Sequence, residues 1–204
     1  METILALVAG VGGLAWLLWF HEAEAVNLAD RLDKTLPPRL AQWARELAAA
    51  AQATKPADLD LWTWATTLAG LMDRESNGGE KLRPRGARGT GDGGHGLGLM
   101  QLDDRYHPGL KEQPELWGNA AWNTLAGAVE LADRFRRAVE VAALAPSRRL
   151  EYALAAYNAD AERVFLGAGD PADNPDVHTT GGDYSADVLA RAEAFAATTP
   201  EAAA

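Results

Sequence analysis

The apolar positions of the chain fall into one unbroken run and several helical stripes. The run is residues 4–20, ILALVAGVGGLAWLLWF, with no charge inside it. As a helix it would extend about 26 Å at ~1.5 Å per residue, at the short end for a bilayer core of about 30 Å. Trp16, Trp19 and Phe20 cluster at one end, as interfacial aromatics do. A cleaved leader has a basic start, whereas Glu2 and no Lys or Arg precedes this run. The pattern predicts a retained transmembrane anchor over 1–21, with a lipid membrane contacted through residues 4–20. A cleaved leader and a buried helix are the rival readings. The flank from His21 to Asp30 has no Lys or Arg, which fits export of the remainder beyond the cytoplasm.

Helical spacing resumes at Val26, Leu28 and Leu32, then at Leu40, Trp43 and Leu47. Pro37-Pro38 divides this stretch, because proline lacks the backbone donor and clashes inside a helix. Residues 22–56 therefore read as a helical spacer. A stripe of Leu61, Trp64, Ala65, Leu68, Leu71 and Met72 predicts a helix over 58–74, capped by Asp58 or Asp60. It should stop at Ser76-Asn77-Gly78-Gly79, where glycine admits left-handed backbone. Residues 80–96 are rich in glycine and charge and predict turns with short β segments. The longest stripe spans 120–143 through Trp122, Leu125, Ala126, Val129, Ala132, Phe135 and Val139. A further helix follows Pro146-Ser147, with Ser147 as its cap. A last one follows a turn-rich stretch, with Asp183 as its cap. The expected fold is mainly α, with a small β/loop region around 86–102. A domain over 57–197 is expected to carry the chemistry, with 198–204 as a tail.

Composition narrows the function classes. The chain has 204 residues, 48% hydrophobic and 24% charged, with a net charge of -10. That supports a globular core and argues against a nucleic-acid partner, which needs clustered Lys and Arg. There is no cysteine, hence no disulfide or thiolate metal site. His95 and His107 lack metal-ligand spacing. Asp170, Asp173 and Asp176 lack the closing glutamate of a calcium loop and read as solvated. No metal or cofactor is expected.

Carboxylates are the candidate chemistry. Glu75 falls at the end of an apolar helix, just before glycine-rich chain. An acid placed there is half-buried beside a cleft, and burial raises its pKa into the range of a proton donor. Asp92 and Asp103 flank the short apolar segment 97–102 and are candidates for the same cleft. Two carboxyl groups across a sugar suit glycoside cleavage. On spacing alone, all three also read as ordinary surface charges.

The ordered motifs add a resemblance. Residues 89–107, Gly-Thr-Gly-Asp-Gly-Gly-His-Gly-Leu-Gly-Leu-Met-Gln-Leu-Asp-Asp-Arg-Tyr-His, resemble the corresponding stretch of goose-type lysozymes, as does Arg74-Glu75-Ser76. Ala155-Ala-Tyr-Asn-Ala159 resembles an element shared with soluble lytic transglycosylases, and 183–191 resembles the family's C-terminal helix. The elements cover roughly residues 60–196 in family order.

The resemblance implies a lysozyme-like helical fold that cleaves the β-1,4 bond between N-acetylmuramic acid and N-acetylglucosamine in peptidoglycan. It implies Glu75 as the catalytic acid, with Asp92 and Asp103 handling water. Gly98, Met100 and Gln101 would form the cleft floor, Tyr157 and Asn158 would contact the amino sugar, and Tyr184 would stand near the acid. Trp62, Trp64, Trp117 and Trp122 are core or sugar-stacking candidates. Asp160 departs from the glycine usual after Ala-Tyr-Asn-Ala. Alternatives are a lytic transglycosylase, which leaves anhydro ends without a second carboxylate, and a silent wall-binding or virion module. Membrane-anchored wall cleavage suits a bacterial envelope enzyme or phage penetration and lysis.

Overall fold

The computed structural model describes residues 22–141, 144–166, 168, 170 and 173–198. The expected membrane helix at 4–20 lies outside the described residues. Among those residues no helix is long and apolar enough to cross a membrane.

The fold is mainly helical. Its elements are α1 (Glu22–Thr35), α2 (Pro38–Ala41), α3 (Ala44–Thr54), α4 (Leu61–Ser76), α5 (Pro114–Trp117), α6 (Ala120–Glu140), α7 (Arg149–Asn158), α8 (Ala161–Leu166) and α9 (Tyr184–Ala197). Between α4 and α5 lie three two-residue strands, β1 (Thr90–Gly91), β2 (Gly96–Leu97) and β3 (Leu102–Asp103). They pair antiparallel in that order, Thr90 opposite Leu97 and Gly96 opposite Asp103. The expected small β region is thus present, ending at Asp103.

Helix α4 is the hub. Asp60 caps it, accepting from the Thr63 amide at 2.9 Å. Its buried face carries Trp64, Leu68, Leu71 and Met72. Gly70 lets α9 approach closely: a methyl there would lie 2.7 Å from the Val188 carbonyl oxygen. The helix ends on Asn77, which takes the left-handed conformation at φ 52° ahead of Gly78. Asparagine, not glycine, makes the first left-handed step because its short polar side chain tolerates that region.

Residues 22–56 pack into the same core. Leu32, Leu40 and Leu47 are fully buried in one cluster with Trp64, Leu71, Leu131 and Val188. Arg39 of α2 pairs with buried Asp73 at 3.0 Å, so this segment braces the end of α4.

Some expected details differ. Val139 was expected to face inward, yet α6 buries Thr124, Ala128, Leu131, Phe135 and Ala138 and leaves Val139 36% exposed. α6 packs closely against α3 and α7, and its buried face is centred on small residues. Val26 is also exposed. Ser147 lies in a 3-10 turn, and α7 starts without a side-chain cap. Asp183 does not cap α9, because its carboxylate is drawn to Arg74 at 2.9 Å. Asp176 does so instead: it accepts from the amides of Ser185 at 2.8 Å and Ala186 at 3.1 Å. It is buried, not solvated as expected. Asp173 also has a structural role, accepting from the Tyr152 hydroxyl at 2.6 Å.

Candidate active site

A cleft of about 570 Å³ opens between the β region and helices α6 and α7. Glu75, Asp92, Gln101, Asp103, Tyr157 and Asn158 line it. Six of the nine expected site residues therefore meet in one cavity.

Glu75 enters from the last turn of α4. The adjoining Asp73-Arg74 pair anchors that turn. Asp73 is tied to Arg39 and, at 2.5 Å, to Arg191. Arg74 reaches Asp187 at 2.8 Å and Asp183 at 2.9 Å, both at the start of α9. These ties fix the geometry of Glu75 against Tyr184, whose hydroxyl donates to Glu75 Oε1. Arg74 also lies over the Tyr184 ring, 5.6 Å from its centroid.

Glu75 is half-buried, and burial pushes its carboxyl up to about 7. The Tyr184 hydrogen bond and the Arg74 charge oppose that rise without cancelling it. Burial also lifts the Tyr184 and Tyr157 hydroxyls well above their usual range, so both remain donors.

Three of the expected residues support the cleft from behind. Met100 is fully buried, Tyr184 is buried behind Glu75, and Gly98 is buried directly after β2. Gly98 needs to be glycine: its φ is +71°, and a methyl there would lie 2.6 Å from the side-chain carbon of Asn123. Asn123 is buried in α6 and bonds the loop twice. Its Oδ1 accepts from the Met100 amide at 2.8 Å, and its Nδ2 donates to the Leu97 carbonyl at 3.0 Å. The Tyr157 hydroxyl donates to the Met100 carbonyl at 2.8 Å. Gly127 leaves room for that contact, since a methyl there would come within 3.0 Å of the hydroxyl. The glycine–methionine loop is thus pinned from two helices while Gln101 faces the cleft.

Asp92 and Asp103 are joined by Arg105. Its Nη2 lies 2.6 Å from Asp92 Oδ2 and 2.5 Å from Asp103 Oδ2, and its Nε 2.9 Å from Asp103. The Arg105 contacts hold the Asp103 carboxyl below its usual range, so it stays ionised at neutrality. Asp92 at φ 45° and Gln101 at φ 50° take left-handed backbone that side chains seldom adopt. Such strain is tolerated where the surrounding turn dictates it.

The sequence reading did not single out Arg105, Glu130, Arg134 or Arg137, all of which line the cleft. Arg105 lay within the quoted motif, and its two-residue spacing from Asp103 was the available signal. The arginines and Glu130 of α6 had none, because their stripe was judged only by its apolar members. His107 also reaches the cleft and contacts Glu130 at 3.3 Å, while His95 is satisfied by Asp104 at 2.7 Å. None of Trp62, Trp64, Trp117 or Trp122 lines the cleft. Trp64 is core, its indole donating to Thr54 at 3.0 Å, and Trp62 stacks under Arg31. Asp160 lines the cleft and also caps α8, accepting from the Glu162 amide at 2.9 Å. Among the described residues no group of His, Asp and Glu is arranged to hold a metal.

A helical fold whose cleft holds a half-buried acid of raised pKa, Glu75, together with an arginine-bridged aspartate pair can support acid–base chemistry. Residues 60–199 match the family model described as Lysozyme g, and the chain belongs to that family. It is 30% identical over 128 residues to Lysozyme G of Dromaius novaehollandiae, covering 63% of this chain and 56% of that protein. It is 33% identical over 129 residues to Lysozyme g of Gallus gallus, covering 63% and 54%. Against Lysozyme g of Cyprinus carpio it is 32% identical over 133 residues, covering 63% and 62%. The chain spans little more than half the length of the curated relatives it matches.

Proposed function

We propose that the chain is a muramidase that hydrolyses the β-1,4 bond between N-acetylmuramic acid and N-acetylglucosamine in peptidoglycan. The observation that carries this is Glu75: a half-buried carboxyl, raised to about 7, at the wall of a cleft that Asp92 and Asp103 also line. Near neutrality a substantial fraction is protonated and ready to donate. Glu75 gives its proton to the glycosidic oxygen as the bond to C1 of muramic acid breaks. Tyr184 stabilises the carboxylate left behind. Water attacks C1 and passes its proton to Asp92 or Asp103. Gln101, Tyr157 and Asn158 position the sugar, over a floor supported by Gly98 and Met100. No cofactor enters these steps.

Lytic transglycosylation is the second reading. It is favoured by Arg105, which engages both Asp92 and Asp103 and so competes with a water for them. Asp160, the departure on which a silent binding module would rest, lines the cleft and caps α8 through Oδ1. The substrate lies outside the cytoplasm, and residues 4–20 would tether the domain to the membrane beside it. The catalytic unit is taken as 57–197, braced by 22–56.

The test is a digest of purified peptidoglycan, with products identified by mass spectrometry. Reducing-end muramic acid is the expected product. Anhydro ends would replace this reading with the second, and no fragments would overturn both.

A further inference from the structure

The cleavage steps leave one half-buried carboxylate of the cleft unused. Glu130, on α6, lines the same cleft as Glu75, and its side chain is 15% exposed. Gly127 stands three residues before it, against the Tyr157 hydroxyl that pins the glycine–methionine loop. That spacing puts Glu130 one turn further along the same helix face. Two other cleft-lining side chains hold it. Arg134 donates from Nη2 to Oε1 at 3.1 Å, and His107 Nε2 lies 3.3 Å from Oε2. His107 belongs to the turn that follows Asp103, whose carbonyl accepts its amide at 3.0 Å. The cluster thus joins α6 to the β side of the cleft and fixes an acidic group inside it.

Glu75 and Glu130 carry the same sign, and like charges in one cleft disfavour each other's ionised form. The groups that face Glu75 divide by their effect on it. The Tyr184 hydroxyl from α9, Arg74 from its own helix and Lys81 from the loop after α4 favour its carboxylate, whereas Glu130 disfavours it. Burial is the larger cause of the raised Glu75 carboxyl, and Glu130 acts in the same direction. The Tyr157 hydroxyl is acted on by both acids in one sense and by Arg134 in the other.

We propose that Glu130 is a positioning residue for the acid step: its carboxylate, held in the cleft by Arg134 and His107, keeps the catalytic proton on Glu75. The inference rests on the reading of Glu75 as the proton donor. Glu130 transfers no proton itself and acts through its charge. Arg134 offsets part of that charge, so removing Arg134 has the opposite effect to removing Glu130. A residue that only supported the packing of α6 would show no such opposition of sign.

The experiment uses the full chain with Glu130→Gln and Arg134→Gln. The first readout is kcat/KM on purified peptidoglycan between about pH 5 and 9. Glu75 acts protonated, so activity falls as pH rises through its value of about 7. Glu130→Gln removes a like charge and should move that limb to lower pH, and Arg134→Gln should move it to higher pH. Each move should change the ratio of rates at pH 8 and pH 5 by about threefold, which corresponds to about half a pH unit. A limb that Glu130→Gln leaves in place would overturn the proposal, as would a move in the same direction by both variants or a slowing equal at every pH. The second readout needs no substrate: in glutamate-labelled protein, the 13C carboxyl signal that vanishes in Glu75→Gln is followed against pH. Its midpoint should be lower in Glu130→Gln than in the parent chain, and an unchanged midpoint would overturn the coupling. A lowered midpoint in a protein whose parent releases no fragments would leave the coupling standing and remove the muramidase reading alone.

Discussion

Tyr184→Phe isolates the hydrogen bond that holds Glu75. The substitution removes one hydroxyl and leaves the ring, including its contact with Arg74 at 5.6 Å. In the parent chain, burial raises the Glu75 carboxyl from its ordinary 4.5 to about 7, and the Tyr184 bond works against that rise. A hydrogen bond to a charged acceptor contributes roughly 1.5–3 kcal/mol, and about 1.4 kcal/mol corresponds to one pKa unit. Its loss removes stabilisation from the ionised form only, so the pKa must rise by at least about one unit. Glu75 acts in its protonated form, so activity is lost as pH rises through its pKa. The alkaline limb of kcat/KM should therefore move up from near 7 to about 8 or beyond. The plateau rate should fall at the same time, because the carboxylate formed by proton transfer is less well held. The assay is initial release of soluble fragments from purified peptidoglycan between about pH 5 and 10. An alkaline limb that stays in place or moves down would refute the reasoning.

Further predictions follow from the same geometry. Glu75→Gln should stabilise the fold more at pH 8 than at pH 4. Between 4.5 and about 7 the native carboxyl binds the proton that the unfolded one releases, so the parent loses stability as pH rises, by roughly 3 kcal/mol at most. Denaturant unfolding at both pH values checks this, and an equal gain at both would contradict it. Asn123→Ala orphans the Met100 amide and the Leu97 carbonyl, both buried. It should cost about 2–4 kcal/mol, and a loss below about 1 kcal/mol would show that the loop satisfies itself otherwise. Asp92→Asn combined with Asp103→Asn should slow hydrolysis by about a hundredfold or more. A small effect on fragment release would instead favour the transglycosylase chemistry.

Much of the site was legible because it sits in short motifs whose chemistry survives without tertiary context. Glu75 could be placed at a helix end because an apolar stripe ran into Asn77-Gly78-Gly79. The β region was legible from glycine density, and the helices from their apolar spacing. What failed was anything set by a distant partner. Asp183 has the position of a cap, but Arg74, far away in sequence, claims its carboxylate. Asp176 looks like a solvated loop residue until α9 folds back onto it. Asn123 is polar on a helix and was passed over in favour of Trp122 and Leu125, yet it is buried because the loop beneath it needs both a donor and an acceptor. The bracing role of 22–56 was invisible for the same reason. Leu32, Leu40 and Leu47 mark a buried face, but nothing in their spacing says against what. Arg134 and Arg137 occupy positions that composition alone treats as solvent.

The central claim is that Glu75 is the proton donor, and the direct test compares Glu75→Gln with the parent chain on purified peptidoglycan at pH 6. Glutamine keeps the shape, still meets the Tyr184 hydroxyl and has no proton to transfer. The account predicts a rate lower by at least about a hundredfold in a variant that remains folded. Cleavage within a few-fold of the parent rate would contradict it and move the chemistry to another group in the cleft.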